Sequence, residues 1–261
     1  MQQQRSSLQI QMDVMFAILL RDMYRKYTVY KLGTVWVVLE PILAVAVFMV
    51  IFGARGRGEF GFVEPPIFIL ASMLPYRVLF MNGQKAMMGA RRTLKSFHIF
   101  RQISLVDVFM AKILLEFFMA LLVIVVICGG LYWLFDINGI PQNVPMLLYY
   151  LLLITLFGAG FGVFFGVLSS YAKEIEQIVD LMSLPIMFLS AIMYPMSTVP
   201  EPIRTYLAYN PLVHLMEGIR EAWFQVYTSP VLDHYYVFWW TVGINAVGML
   251  LYRRAGEKGL D

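Results

Sequence analysis

Long apolar runs separated by short polar segments dominate the chain. A helix needs about 20 apolar residues to cross a bilayer core. Runs that approach or exceed this length lie near residues 33–53, 66–88, 106–135, 146–170, 179–196 and 232–252. None alternates apolar and polar residues as membrane β-barrel strands do. The pattern therefore predicts an all-α integral membrane protein with six transmembrane helices.

The segment before the first run has a different periodicity. Its apolar residues recur at steps of three and four, while charged residues occupy the other face. The apolar set is Met12, Met15, Phe16, Leu19, Met23, Tyr27 and Tyr30. This pattern is typical of a helix lying in the membrane interface, and it predicts an N-terminal interface helix over residues 8–31.

The connection between the fifth and sixth runs is longer than a turn. Its sequence, STVPEPIRTYLAYNPLVHLMEGIREAWFQVY, predicts two short amphipathic helices broken at Asn210-Pro211. Such a pair could dip into the outer leaflet.

The basic residues orient the predicted spans. Fifteen of the 20 Lys and Arg residues fall in the N-terminal segment, the second and fourth connections or the C-terminal tail, and four fall on the opposite side. Cytoplasmic connections carry the excess of positive charge. Both termini are therefore expected in the cytoplasm.

Composition agrees with a membrane protein, since 60% of residues are hydrophobic, 14% are charged and the mean hydropathy is +0.70. We expect one transmembrane domain over residues 1–261, with six spans within 33–252 and a cytoplasmic tail at 253–261. No cleaved signal is recognisable at the N-terminus. Cys128 is the single cysteine, which excludes an internal disulfide.

Motifs of catalysis and nucleotide binding are missing from the sequence. It contains no GxxxxGK[ST] phosphate loop, no HExxH and no nucleophile motif. The three histidines are scattered, which favours interfacial aromatic roles. We therefore expect no enzyme activity, no metal, no cofactor and no nucleic acid bound by this chain.

Glycines at four-residue intervals mark the fourth span. Gly158, Gly162 and Gly166 line one ridge of a helix, and such ridges let a second helix approach closely. Helix packing is therefore their predicted role.

Charged residues within or near the spans are unusual. Glu40, Arg77, Lys85, Asp107 and Glu116 belong to this group, and a charge at the bilayer centre costs at least about 2.5 kcal/mol. They should face protein or water. Lys85, Asp107 and Glu116 could alternatively extend from helix ends towards the interface.

Two cytoplasmic connections mix charged residues with apolar anchors. ARRTLKSFHIFRQI covers residues 90–103, and YAKEIEQIVD covers residues 171–180. Each could present a short helix to a soluble partner, although the first also suits anionic headgroups.

Three motifs resemble the membrane permease subunits of ABC-2-type exporters, in particular those of Gram-negative capsular polysaccharide. They are LGTVWVVLEP (residues 32–41), AIMYPMSTVP (191–200) and NPLVHLMEGIREA (210–222). They occur in order on a matching six-span layout. The resemblance implies a homodimer in the bacterial inner membrane, bound to a dimer of a cytoplasmic ABC ATPase that holds ATP and Mg. A periplasmic co-polymerase and an outer-membrane translocon would continue the path of a lipid-linked acidic polysaccharide.

The resemblance also assigns roles to segments and residues. The two cytoplasmic connections would be coupling helices, and residues 202–227 would form outer gate helices between spans five and six. The expected ATPase-coupling residues are Arg92, Lys95, Phe97, Phe100, Glu174 and Glu176. The expected substrate pathway comprises Trp36, Glu40, Arg55, Arg57, Arg77, Asn82 and Lys85.

Glu40 and Trp36 lie four residues apart on one helical face. The carboxylate would mark the pathway wall, and the indole would offer a flat platform to a sugar. Alternatively, Glu40 pairs with a basic side chain to fix helix packing, and Trp36 anchors the interface.

Other functions remain open from the sequence. A related ABC-2 permease could carry O-antigen, teichoic acid or a small drug. A membrane-embedded transferase acting on lipid-linked sugars, or a structural scaffold, would belong to other classes.

Overall fold

The computed structural model describes residues 7–28, 65–89, 105–136 and 138–257, together with residues 39, 42–43 and 46–47. These residues form helices and loops, and no β-strand occurs among them. Most of the predicted first span, the first outer loop and residues 90–104 lie outside the described residues.

The helices follow one another in this order: α1 (Ser7–Thr28), α2 (Pro65–Leu74), a π-helical segment (Pro75–Met81), α3 (Asn82–Met88), α4 (Leu105–Phe135), α5 (Val144–Leu168), α6 (Glu174–Leu189), α7 (Ile203–Leu207), α8 (Pro211–Trp223) and α9 (His234–Glu257). Two of them, in Val106–Leu134 and Val144–Leu168, are long and apolar enough to cross a membrane.

Local sequence explains several helix boundaries. Asn143 begins α5, where its side chain accepts a hydrogen bond from the Met146 amide at 3.1 Å. Asn210 does the same for α8, accepting from the Leu212 amide at 3.0 Å. Both Asn residues therefore satisfy amides that lack a partner inside the helix.

Prolines disturb two further helices. Pro75 has no amide hydrogen to donate and begins the wider π-helical turns between α2 and α3. Pro185 lies inside α6 and removes one bond of that helix.

Helix α5 is the centre of the packing. It contacts α9 most extensively, and it also packs on α3, α8, the π-helical segment and α4. Most of its residues on both sides are buried, including Tyr150, Leu151, Ile154 and Phe157. The remaining helices therefore assemble around α5.

The glycine ridge of α5 faces the π-helical segment and α3. A Cβ atom at Gly158 would lie 2.7 Å from the Phe80 carbonyl oxygen, and one at Gly166 would lie 2.9 Å from the Met88 Cα. A Cβ at Gly162 would come closer still, to the Gln84 carbonyl oxygen. These glycines thus allow the two backbones to touch.

The described helices have two distinct ends. At the basic end lie the C-terminal ends of α3, α5 and α9 and the N-terminal ends of α4 and α6. There, Lys112 of α4 meets Asp22 of α1 at 3.0 Å. At the opposite end, called the hairpin end, lie α7 and α8 (residues 203–223). There, the Trp223 indole of α8 donates to the Gly139 carbonyl of the loop before α5 at 3.0 Å.

Replacing Gly162 with Ala should destabilise the protein by about 1 to 3 kcal/mol, because the new methyl group collides with backbone that cannot turn away. Gly243→Ala is the matched control, since nothing lies within 4 Å of its Cβ position in α9. Thermal unfolding in detergent measures both variants. Equal melting temperatures for the two would contradict this account of the ridge.

Candidate functional site

A guanidinium group buried at the hairpin end connects three parts of the chain. Arg220 of α8 is 0% exposed, and all five of its N–H donors have acceptors. Its Nε donates to Ser72 Oγ at 3.0 Å. Its Nη1 donates to Glu217 Oε1 at 2.6 Å and to the Tyr194 carbonyl at 3.2 Å. Its Nη2 donates to the Ala191 carbonyl and also to the Ile192 carbonyl, the latter at 3.0 Å. The Phe68 ring lies 4.5 Å from its central carbon.

These contacts join α2, α8 and the loop that follows α6. Ser72 and Phe68 belong to α2, whereas the three carbonyls belong to residues 191–194. Ala191 has a φ of 54°, a conformation rarely adopted by a residue with a Cβ. Its carbonyl bond to Arg220 helps to hold that turn in place.

The carboxylate partner is equally well satisfied. Glu217 is 0% exposed, and its Oε2 accepts from the Tyr227 hydroxyl and, at 2.8 Å, from Ser229 Oγ. Burial, followed by the neighbouring Glu217 carboxylate, raises the pKa of Tyr227. The phenol therefore stays protonated and donates its hydrogen to the carboxylate.

His214 connects the two short helices to α9. The Asp233 amide donates to its Nδ1 at 3.0 Å, so the hydrogen resides on Nε2, which donates to the Ala208 carbonyl at 2.7 Å. The side chain is buried, rather than facing an interface as the sequence suggested. His234, at the start of α9, meets the Tyr150 hydroxyl through its Nδ1.

The helix pair is present on both sides of Asn210-Pro211, as the sequence predicts. The burial of α8 differs from the expectation of an amphipathic helix that dips into a leaflet. Nearly every residue of α8 is buried, and Gly218 allows the Tyr150 ring of α5 to approach its backbone. α8 is therefore a core element, while α7 buries none of its residues.

The predicted pathway residues are only partly described. Arg77 lies half-buried in the π-helical segment, and Asn82 and Lys85 are exposed on α3. Lys85 Nζ lies 2.9 Å from Asp180 Oδ1 of α6. Trp36, Glu40, Arg55 and Arg57 lie outside the described residues.

The predicted coupling residues are also divided. Glu174 and Glu176 lie in the first turn of α6, at the basic end. Arg92, Lys95, Phe97 and Phe100 lie outside the described residues. The structure thus brings Lys85 close to α6, but it does not show the two coupling segments together.

Sequence reasoning missed the Glu217–Arg220 pair. It counted Arg220 only as one of the four basic residues on the side opposite the cytoplasm. A signal was available in MEGIREAW, where the Glu217 carboxylate and the Arg220 guanidinium stand three residues apart. This spacing places both groups on one helical face.

The site thus combines two helices that are long and apolar enough to cross a membrane with a buried, fully bonded ion pair. The chain belongs to the ABC-2 type transporter family, whose model matches residues 13–224. The described part of the match includes most of α1, the glycine ridge and both short helices.

Similar proteins have informative names. The polysialic acid transport protein KpsM of Escherichia coli is 28% identical over 261 residues, covering 98% of each chain. The capsule polysaccharide export inner-membrane protein CtrC of Neisseria meningitidis serogroup A is 22% identical over 255 residues, covering 98% of this chain and 95% of the relative. The corresponding BexB protein of Haemophilus influenzae is 20% identical over 229 residues, covering 84% and 82%.

Arg220→Met should destabilise the fold by about 3 kcal/mol or more, because it leaves Glu217 charged and buried without its partner. Arg204→Met is the matched control, since Arg204 is partly exposed and its contact to Glu201 is 3.6 Å long. A thermal melt in detergent, scored by the monodisperse fraction on a sizing column, compares the two. A melting temperature for the Arg220 variant at or above that of the control would overturn the assignment.

Proposed function

We propose that this chain is the permease subunit of an ATP-driven exporter that moves lipid-linked capsular polysaccharide across the bacterial inner membrane. The observation that carries this proposal is the near full-length similarity to KpsM and CtrC, within the ABC-2 transporter family. The names of these relatives refer to polysialic acid and capsule polysaccharide.

Transport against a gradient needs an energy source that this sequence does not encode. It contains no GxxxxGK[ST] loop to hold nucleotide phosphates. In this proposal, a dimer of a separate cytoplasmic ABC ATPase holds ATP and Mg. The coupling residues would contact this ATPase and respond to its conformational changes. They are Glu174 and Glu176 at the start of α6, and Arg92, Lys95, Phe97 and Phe100 of the connection before α4.

The arrangement in the membrane follows from charge. The helices α2 to α3, α4, α5, α6 and α9 would supply five spans, and residues 33–53 would supply the first. Lys112, Lys173, Arg253 and Arg254 belong to the basic end, which the positive-inside rule assigns to the cytoplasm. The short helices α7 and α8 then lie on the periplasmic side, as outer gate helices.

A homodimer would complete the pathway. Helix α6 buries only Val179 and Met187 within the chain. Its Ile178, Leu181 and Leu184 side chains are 56%, 76% and 63% exposed. An apolar helix face of this kind suits lipid or a second copy of the chain. Trp36 and Glu40 of the first span would line the same pathway.

The substrate would be acidic. The name of KpsM refers to polysialic acid, which is a polymer of carboxylated sugars. In this chain, Lys85 is an exposed cation on α3. Arg77, and Arg55 and Arg57 of the first outer loop, would offer further positive charge along the route. A periplasmic co-polymerase and an outer-membrane translocon would receive the emerging chain.

Purification from native membranes tests the proposal. The tagged chain should co-purify with an ATPase subunit in equal amount, and Phe97→Asp with Phe100→Asp should release it, because charge replaces the apolar anchors. Val226→Asp is the control, since Val226 is 78% exposed in the loop after α8. Recovery of the chain without any nucleotide-hydrolysing partner would reject the exporter.

Cysteine labelling tests the orientation. On a Cys128→Ala background, an impermeant maleimide added to spheroplasts should label Val226→Cys at the hairpin end. It should not label Tyr171→Cys, which lies between α5 and α6 and is 59% exposed, because the membrane shields the cytoplasmic side. The reverse labelling pattern would invert the topology.

A further inference from the structure

Helix α6 is held firmly at its hairpin end. The Asn210 side-chain amide donates to the Leu189 carbonyl at 3.1 Å and to Ser190 Oγ at 3.0 Å. Arg220 binds the carbonyls of the residues that follow, among them Ile192 at 3.0 Å. The Arg220 bonds are buried, and breaking them would leave a charged group without partners.

The basic end of α6 is attached in a different way. Lys85 and Asp180 bridge α3 and α6 there, and their side chains are 52% and 60% exposed. An exposed ion pair shifts an equilibrium by about fivefold at most, and salt weakens it further. Between the two ends, the Tyr76 hydroxyl donates to the Ser183 carbonyl at 2.6 Å.

The position of this ion pair suits an anion arriving from the cytoplasm. Lys85 lies one turn before the end of α3, and Asp180 lies less than two turns from the start of α6. Asn82, three residues before Lys85, is exposed on the same face. The Asn82 amide and the Lys85 ammonium group therefore share one face of α3.

We propose that the Asp180 carboxylate holds the site on Lys85 that the carboxylate of an acidic sugar binds during transport. Asp180 thus takes the place of the substrate carboxylate, a function called here its stand-in role. A substrate carboxylate displaces Asp180, binds Lys85 with Asn82, and frees the basic end of α6 while its hairpin end stays fixed. The exchange replaces one ion pair by another, so the opening needs little net free energy. This inference rests on the proposed function, because that function supplies the acidic polymer.

The Lys85–Asp180 ion pair is called the clasp below. The rate at which a cysteine at position 183 reacts with a maleimide measures whether the clasp opens. Ser183 lies one turn beyond Asp180, and its backbone carbonyl accepts the hydrogen bond from the Tyr76 hydroxyl. On a Cys128→Ala background, Ser183→Cys in inverted membrane vesicles should react with a maleimide about threefold to fivefold faster when Asp180→Asn is added. Lys85→Gln should accelerate the reaction equally, because either change removes the ion pair.

Asp136→Asn is the matched control for the loss of a carboxylate. Asp136 is exposed beyond the end of α4, and Asn accepts its φ of 54°. Ser183→Cys combined with Asp136→Asn should react with the maleimide at the same rate as Ser183→Cys alone. Unchanged labelling in both the Asp180 and Lys85 variants would show that the pair does not hold α6, and would overturn the clasp.

The role of the anion is tested with oligomers of sialic acid, with neutral dextran oligomers for comparison. Sialic acid oligomers should accelerate labelling of Ser183→Cys in the parent about threefold, and dextran should not. The Lys85→Gln variant should give no further response. Labelling that becomes faster in Asp180→Asn but does not respond to sialic acid oligomers would reject the stand-in role. The Lys85–Asp180 pair would then be a structural ion pair only.

The labelling experiment needs neither the ATPase nor export. A failed search for an ATPase partner would therefore reject the proposed function without affecting the labelling result. Conversely, unchanged labelling would reject the clasp while an ATPase partner could still be found.

Discussion

The Arg220 guanidinium is the group on which the hairpin end depends. An arginine stays charged in proteins, and moving a charge out of water is costly unless every donor is matched. Here five donors meet five acceptors from α2, α8 and the loop after α6. Any displacement of one of these parts alone would leave buried groups unpaired, so the three parts are expected to move together.

The two ends of the helical assembly contrast in strength. Fully desolvated bonds hold the hairpin end, whereas an exposed ion pair bridges α3 and α6 at the basic end. Conformational change occurs where contacts are weakest, because those contacts cost least to break. In the proposed exporter, the weakly bridged basic end would be the entrance that opens, and the firmly bonded hairpin end would be the outer side that stays closed.

Patterns within one segment could be predicted from the sequence, whereas contacts between segments could not. The four-residue glycine spacing indicated close packing in α5, and Asn210-Pro211 indicated the break between α7 and α8, which the structure has. The Arg220 network needs Ser72 from a helix 148 positions earlier, and Lys85 meets Asp180 only through the fold. No local periodicity records such pairings.

The burial of α8 shows why local amphipathicity was misleading there. A helix carrying Glu217, Arg220 and Glu221 resembles one that lies at an interface, since its charges normally seek water. In the structure, the first two charges satisfy each other and the surrounding backbone, and only Glu221 remains partly accessible. Apolar residues could fill the same volume with little loss of stability, but they could not bind three loop carbonyls and Ser72 in one fixed orientation. The ion pair therefore fixes the position of α8 relative to its neighbours.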